Sequence, residues 1–167
     1  LAEKNAEYES VLIDLSKAEQ LGDAYRAINP RCTVPALKLD DDTVLTENAG
    51  IAAYLEAAYP DKPLLGATAT EKGLIAAWNS SIEFDGLYPI AEALRNASPG
   101  LKDRAITGPD NHAQIPELAA RGRRRVELFF DRLNEHLKDR EFIITDAFSQ
   151  ADISAAVAVD FARIVKV

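Results

Sequence analysis

A carboxylate and an amide, Glu47 and Asn48, stand where an apolar run gives way to helix-forming residues, and Pro35 stands where the preceding apolar run begins. These residue types in these places can bind an anion. The first N–H groups of a helix have no partners within it, and the aligned peptide dipoles add to their attraction. Asn48 has the chemistry of a helix cap, and Glu47 that of an acceptor for a cation beside the helix start. Either could equally be ordinary, Glu47 a solvated charge and Asn48 only a cap. Cys32 precedes Pro35 closely, but no neighbouring base marks it as a thiolate, so it reads as a small neutral loop residue. Two histidines, His112 and His136, with that one cysteine do not make up a four-ligand zinc set, and no metal is expected. Ser149 and Asp152, between Phe148 and Ile153, have the spacing of a capping box with a hydrophobic staple. That spacing accounts for Asp152 as a structural residue better than as a catalytic carboxylate. Arg121, Arg123, Arg124 and Arg125 form a basic run beside an apolar stripe and read as the solvated face of a helix.

Elements must hold these residues in place. Val34, Ala36, Leu37 and Leu39 form an apolar run that Asp40, Asp41 and Asp42 close before Val44 and Leu45 resume it. The pattern predicts an antiparallel hairpin with the aspartates in its turn, feeding a helix capped by Asn48. Pro35 falls at a strand's first residues, one of the few places a sheet tolerates it. Upstream, Val11, Leu12, Ile13 and Leu15 predict a strand over residues 8–15, buried on at least one face. Ser16 offers a cap for a helix over 17–27, weakened at Gly22 and ended by Asn29 and Pro30. Residues 1–5 have the pattern of a helix's last turn, and the chain contains no Met, so it is expected to enter partway through a fold.

Pro60, Pro63 and Gly66 punctuate a boundary. An α/β domain is expected over 1–60, a linker over 61–69 and an all-helical domain over 70–167. Three apolar stripes at helical spacing define the latter: Leu74, Ala77, Trp78 and Ile82; Val126, Phe129, Phe130, Leu133 and Leu137; and Ile153, Ala156, Val157, Phe161 and Ile164. A long loop over 97–116 separates the first two. With 19 basic and 27 acidic residues among 167, the net charge of −8 disfavours nucleic acid and anionic membranes as partners, since both are bound through positive patches. No apolar run reaches the roughly 18 residues of a membrane span. A single cysteine fits a reducing, cytoplasmic setting.

Taken in order, Asn29, Pro30 and Arg31; Val34, Pro35, Ala36 and Leu37; Leu45 through Asn48 with Ile51, Tyr54 and Leu55; Tyr59 and Pro60; Ala93 through Asn96; and Phe148 through Ile153 resemble the glutathione S-transferase family, in its bacterial cytosolic form. The resemblance covers nearly the whole chain. It implies a thioredoxin-like N-terminal domain, incomplete at its start, an all-helical C-terminal domain, and a homodimer. It further implies that Pro35 is the family's cis-proline and that the Val34 main chain pairs with the cysteinyl unit of glutathione. Glu47 would accept from the γ-glutamyl ammonium, the Asn48 N–H would donate to its carboxylate, and Thr33 would supply a weaker polar contact. Most relatives carry Ser where this chain has Asn48. By the same resemblance the serine, tyrosine or cysteine that activates glutathione would precede Leu1, and Tyr88 would face a small hydrophobic electrophile. Glutathione is then a co-substrate for conjugation. A glutathione-dependent thiol reductase or peroxidase, or a transferase-like protein-binding module without turnover, are the alternatives.

Overall fold

The computed structural model describes residues 1–144 and 146–167, which divide into two compact units. One comprises Leu1–Lys62 with Thr107–Asp110; the other comprises Pro63–Ile106 with Asn111–Val167.

In the first unit a short helix α1 (Asp23–Arg26) precedes strands β1 (Ala36–Lys38) and β2 (Val44–Thr46) and helix α2 (Asn48–Ala58). The strands are antiparallel, with Ala36 opposite Thr46, Leu37 opposite Leu45 and Lys38 opposite Val44. The aspartates make the turn as their chemistry predicts. Asp42 adopts φ 67°, Leu39 N–H donates to Thr43 O at 2.8 Å, and Thr43 N–H donates to the Asp41 carboxylate at 3.0 Å. The start of the chain is tied to the end of α2 by Lys4. Its buried ammonium donates to Glu56 at 2.5 Å, to Tyr59 O at 2.9 Å and to Lys62 O at 2.6 Å. Carbonyls at and beyond a helix C-terminus lack partners within the helix and suit a cation, which this lysine provides.

Two expectations for this unit fail. Residues 8–15 form no strand; Val11 and Leu12 are 81% and 87% exposed. A strand exists by pairing, and the described sheet has only β1 and β2, bonded to each other. The helix expected over 17–27 is broken into 3-10 turns at Leu15–Lys17 and Glu19–Leu21 followed by α1, because Ala18 takes a left-handed conformation and Gly22 is extended. Asp14 caps the first turn in place of Ser16, its carboxylate accepting from the Ser16 N–H at 2.9 Å. The hydrogen bonds from Ser16 and Lys17 hold the Asp14 carboxyl below the usual range.

The second unit is helical. Helix α3 (Ala69–Ser81) runs through a π-helical stretch (Ile82–Leu87) into α4 (Tyr88–Ala97), followed by α5 (Pro116–Leu137) and α6 (Gln150–Ala162). The widened π register lies just before Pro89, which has no N–H to give and whose ring crowds the carbonyl four residues earlier. Ile82, Ile90, Val126, Phe129, Leu133 and Ile143 form the core with the alanines of α6. Helices α4 and α5 meet at Gly122, where a Cβ would lie 2.6 Å from Pro89 O. The stripe on α5 falls as expected, with Val126, Phe129 and Leu133 buried. On α3 the buried residue is Ile75, while Leu74 is exposed. On α6 the inward face is Ala151, Ala155, Ala158 and Ala162, with Phe161 packed partly against the core, while Val157 faces outward, as does Ile164 just beyond the helix. Small side chains let a helix approach its neighbours closely, so packing distance overrode hydrophobicity in choosing the face.

Candidate functional site

The residues singled out in the first unit converge because of the hairpin's register. Ala36 pairs with Thr46, so the residues before β1 and after β2 leave the same end of the ladder. Residues 33–35 and 47–48 are therefore presented together.

The Val34–Pro35 peptide bond is cis. Val34 is 42% exposed, and among the described residues nothing pairs with its N–H or C=O. The residue before it is held firmly. Thr33 O accepts from the Tyr25 hydroxyl at 2.7 Å and from Asn29 Nδ2 at 2.8 Å, and Thr33 Oγ1 accepts from Asn29 Nδ2 at 3.2 Å. Asn29 Oδ1 in turn accepts the Arg31 N–H at 3.1 Å. Asn29 is 1% exposed, so this bracket is built around a buried amide whose donors and acceptor are all engaged. Cys32 is buried within it at φ 55°, its Sγ 3.6 Å from Pro30 O. Tyr25 and Asn29 are site-building residues that the sequence pattern missed. Asn29 registered there only as a helix stop, although a buried amide in a loop needs partners.

Asn48 does not cap α2; it is the first helical residue. Glu47 is the cap position, at φ 63° and ψ 137°, and its C=O already accepts the helical N–H of Ile51 at 3.1 Å. The chain turns out of β2 within Glu47, so the helix starts one residue earlier than a capping Asn48 would require. A positive φ is uncommon away from glycine, and such conformations concentrate at binding sites. The turn leaves the N–H of Asn48 at the open end of α2 and the Glu47 carboxylate exposed. Arg31 Nε lies 3.4 Å from Glu47 Oε1. The site thus offers an unpaired main-chain edge, a carboxylate, a guanidinium and a helix start, which suits a short peptide carrying both charges.

The other sequence-derived candidates lie in the second unit. Tyr88 opens α4 and is 66% exposed. Ser149 and Asp152 form the capping box of α6: Asp152 Oδ2 accepts from the Ser149 N–H at 2.9 Å and from its hydroxyl at 2.8 Å. Asp152 Oδ1 also accepts the Ile143 N–H at 2.9 Å, fastening the loop before the helix. The Phe148 ring meets Phe142 edge-on at 6.3 Å. His136 donates from Nε2 to Ile143 O at 2.6 Å, and its ring lies tilted against Trp78 with centroids 4.3 Å apart. The arginine run lies on an exposed face as expected, Arg121, Arg123 and Arg124 being exposed, with Arg121 pairing with Glu92 and Arg125 donating to Phe84 O at 2.6 Å and lying over its ring at 4.8 Å. No group of three or more His, Cys, Asp or Glu among the described residues could hold a metal, and no described helix is long and apolar enough to cross a membrane.

A thioredoxin-like N-terminal domain joined to an all-helical C-terminal domain is the class these elements define. The family pattern for the glutathione S-transferase N-terminal domain matches residues 1–58, and that for the C-terminal domain matches residues 116–167. Glutathione S-transferase 2 of Saccharomyces cerevisiae is 34% identical over 169 residues, covering 99% of this chain and 70% of that protein. Glutathione S-transferase GstA of Escherichia coli O157:H7 is 30% identical over 171 residues, covering 99% and 76%. The crystal structure of Gtt2 from Saccharomyces cerevisiae superposes with a TM-score of 0.86 at 33% identity, over 99% of this chain and 78% of that one. The chain belongs to the glutathione S-transferase family.

Proposed function

We propose that the chain acts as a glutathione transferase, joining the glutathione thiolate to a small hydrophobic electrophile. The observation that carries this reading is the exposed, unpaired Val34 main chain beside Glu47 and the first N–H of α2. The cysteinyl unit lies along Val34 as a short antiparallel segment, its N–H and C=O bonded to the main chain. Glu47 accepts from the γ-glutamyl ammonium, and the Asn48 N–H donates to the adjoining carboxylate. Thr33 serves through its carbonyl and hydroxyl, which hold the bracket that positions Val34. Fixing the thiol by main-chain contacts places sulfur for attack, and the reaction forms a carbon–sulfur bond as the electrophile's leaving group departs or its π bond takes the electron pair. Tyr88 is our choice for a contact to that electrophile. The group that favours thiolate over thiol is assigned to no residue of this chain; Cys32, buried in the bracket, is not that group. We place the protein in the cytoplasm as a homodimer acting in detoxification.

Titration calorimetry with glutathione, followed by mass spectrometry of products formed with a generic aryl halide, tests the reading. Saturable binding and a glutathione conjugate above the uncatalysed background are expected. Binding without conjugate would make the chain a glutathione-binding module, and no binding would remove glutathione altogether.

A further inference from the structure

Arg31 stands on the bracket that presents Val34, its N–H fixed to the Asn29 side chain at 3.1 Å. Its guanidinium meets one group among the described residues, the Glu47 carboxylate, through Nε at 3.4 Å. That contact is long beside the roughly 2.7–2.9 Å of a well-made charge-assisted bond, and it leaves the terminal donors of the guanidinium unused. The side chains of Arg31 and Glu47 are 71% and 54% exposed, so the pair holds little of the fold together and opens readily. Two opposite charges thus stand side by side, loosely joined, at the start of a helix.

We infer that Arg31 binds the α-carboxylate of a γ-glutamyl compound, so that Arg31 and Glu47 together select a free α-amino acid head group. The inference rests on the glutathione reading and deepens it. An α-amino acid carries its ammonium and carboxylate on one carbon. Inserted between Glu47 and Arg31, it replaces one long contact by two of matched sign, ammonium to carboxylate and carboxylate to the guanidinium fork. The N–H of Asn48 gives the same carboxylate a further donor. A head group inserted in reverse meets like charges, so the pair sets direction as well as affinity. The site therefore discriminates against γ-glutamyl thiols whose α-carboxylate is amidated, although their cysteinyl main chain is unchanged.

The test is calorimetry on the full chain with two ligands, glutathione and its analogue bearing a carboxamide in place of the γ-glutamyl α-carboxylate. Arg31→Gln should weaken glutathione binding roughly tenfold, the worth of a hydrogen bond to a charged group, and Arg31→Lys should recover part of it. The analogue should bind the wild type at least as weakly as glutathione binds Arg31→Gln, because its bond from the Asn48 N–H is weakened too, and should lose nothing further in that variant. Equal weakening of both ligands by Arg31→Gln, or none for glutathione, overturns the assignment of Arg31 while glutathione binding itself stands. Failure of the wild type to bind either ligand overturns the glutathione reading and this inference with it.

Discussion

Asn29 uses both ends of its side-chain amide on the turn that follows it, donating to Thr33 and accepting from Arg31. Asn29→Ala leaves a buried gap and an unmet Arg31 N–H, while Thr33 O keeps the Tyr25 hydroxyl. We expect a loss of about 1–3 kcal/mol in denaturant unfolding, together with weaker glutathione binding as Val34 loses its fixed position. Glu47→Ala should do the reverse. Its ion pair is exposed and contributes at most about 1 kcal/mol to folding, so the unfolding midpoint should hardly move. Glutathione affinity should fall by roughly 1.5–3 kcal/mol in calorimetry, and unchanged affinity would mean that the γ-glutamyl end lies elsewhere. The positions of Glu47 and Asn48 were legible in the sequence because a strand end followed by a helix start is local information. Their detailed roles were not. Whether Asn48 caps depends on the dihedral angles of Glu47, and the Arg31 and Asn29 partnerships form across a loop whose path no spacing reveals.

Caps and turns show the same division between local and distant causes. The hairpin, its aspartate turn and the Ser149–Asp152 box were readable because each depends on neighbours in sequence. The expected strand over 8–15 and the expected apolar face of α6 depended on what lay opposite, and hydrophobicity alone chose wrongly. Asp152 adds a case in between, since its bond to Ile143 reaches back across the preceding loop. Ser149→Ala should cost about 0.5–2 kcal/mol as a lost cap, and Asp152→Ala should cost more, because two main-chain donors lose their acceptor. Thermal melts of the two variants give the comparison; equal melting temperatures would mean the Ile143 bond contributes nothing. At the start of α3, Glu71 accepts from the N–H groups of Thr68 and Ala67 at 3.0 and 2.8 Å, with the Thr68 bond the chief cause holding its carboxyl below the usual range. A carboxyl lowered in the folded state binds fewer protons there than in the unfolded chain, where it titrates in the ordinary carboxylate range. Its stabilising effect is therefore complete above that range and lost as pH falls through the lower folded value. Wild type should melt above Glu71→Ala at neutral pH, and the gap should narrow on acidification; a gap that widened would reverse the sign.

The chain as a whole is acidic, with a net charge of −8, while glutathione carries two carboxylates and one ammonium at neutral pH. An anion must therefore find a local exception to the protein's field, and enclosure alone does not provide one. A concavity of about 400 Å³ in the second unit is lined by Glu135, Asp139, Glu141 and Asp146 with Arg140 and His136. Four carboxylates there repel the ligand. The first unit offers less enclosure but better chemistry, since Arg31, the Asn48 N–H and the Val34 edge all lie within residues 31–48. Composition disfavours a polyanionic partner, and the fold adds which basic and main-chain groups stand together against that field. A ligand that binds the native state protects the region whose opening disrupts its site, by about 2.7 kcal/mol when present at a hundred times its dissociation constant. Amide hydrogen exchange with and without glutathione should therefore slow in peptides spanning residues 29–51. Peptides spanning 135–144 should exchange as before unless the whole molecule unfolds as one unit, and then they too would slow, by the same factor as the slowest amides of α2. Slowing confined to 135–144 would move the binding site to the acidic concavity and remove Val34, Glu47 and Asn48 from it.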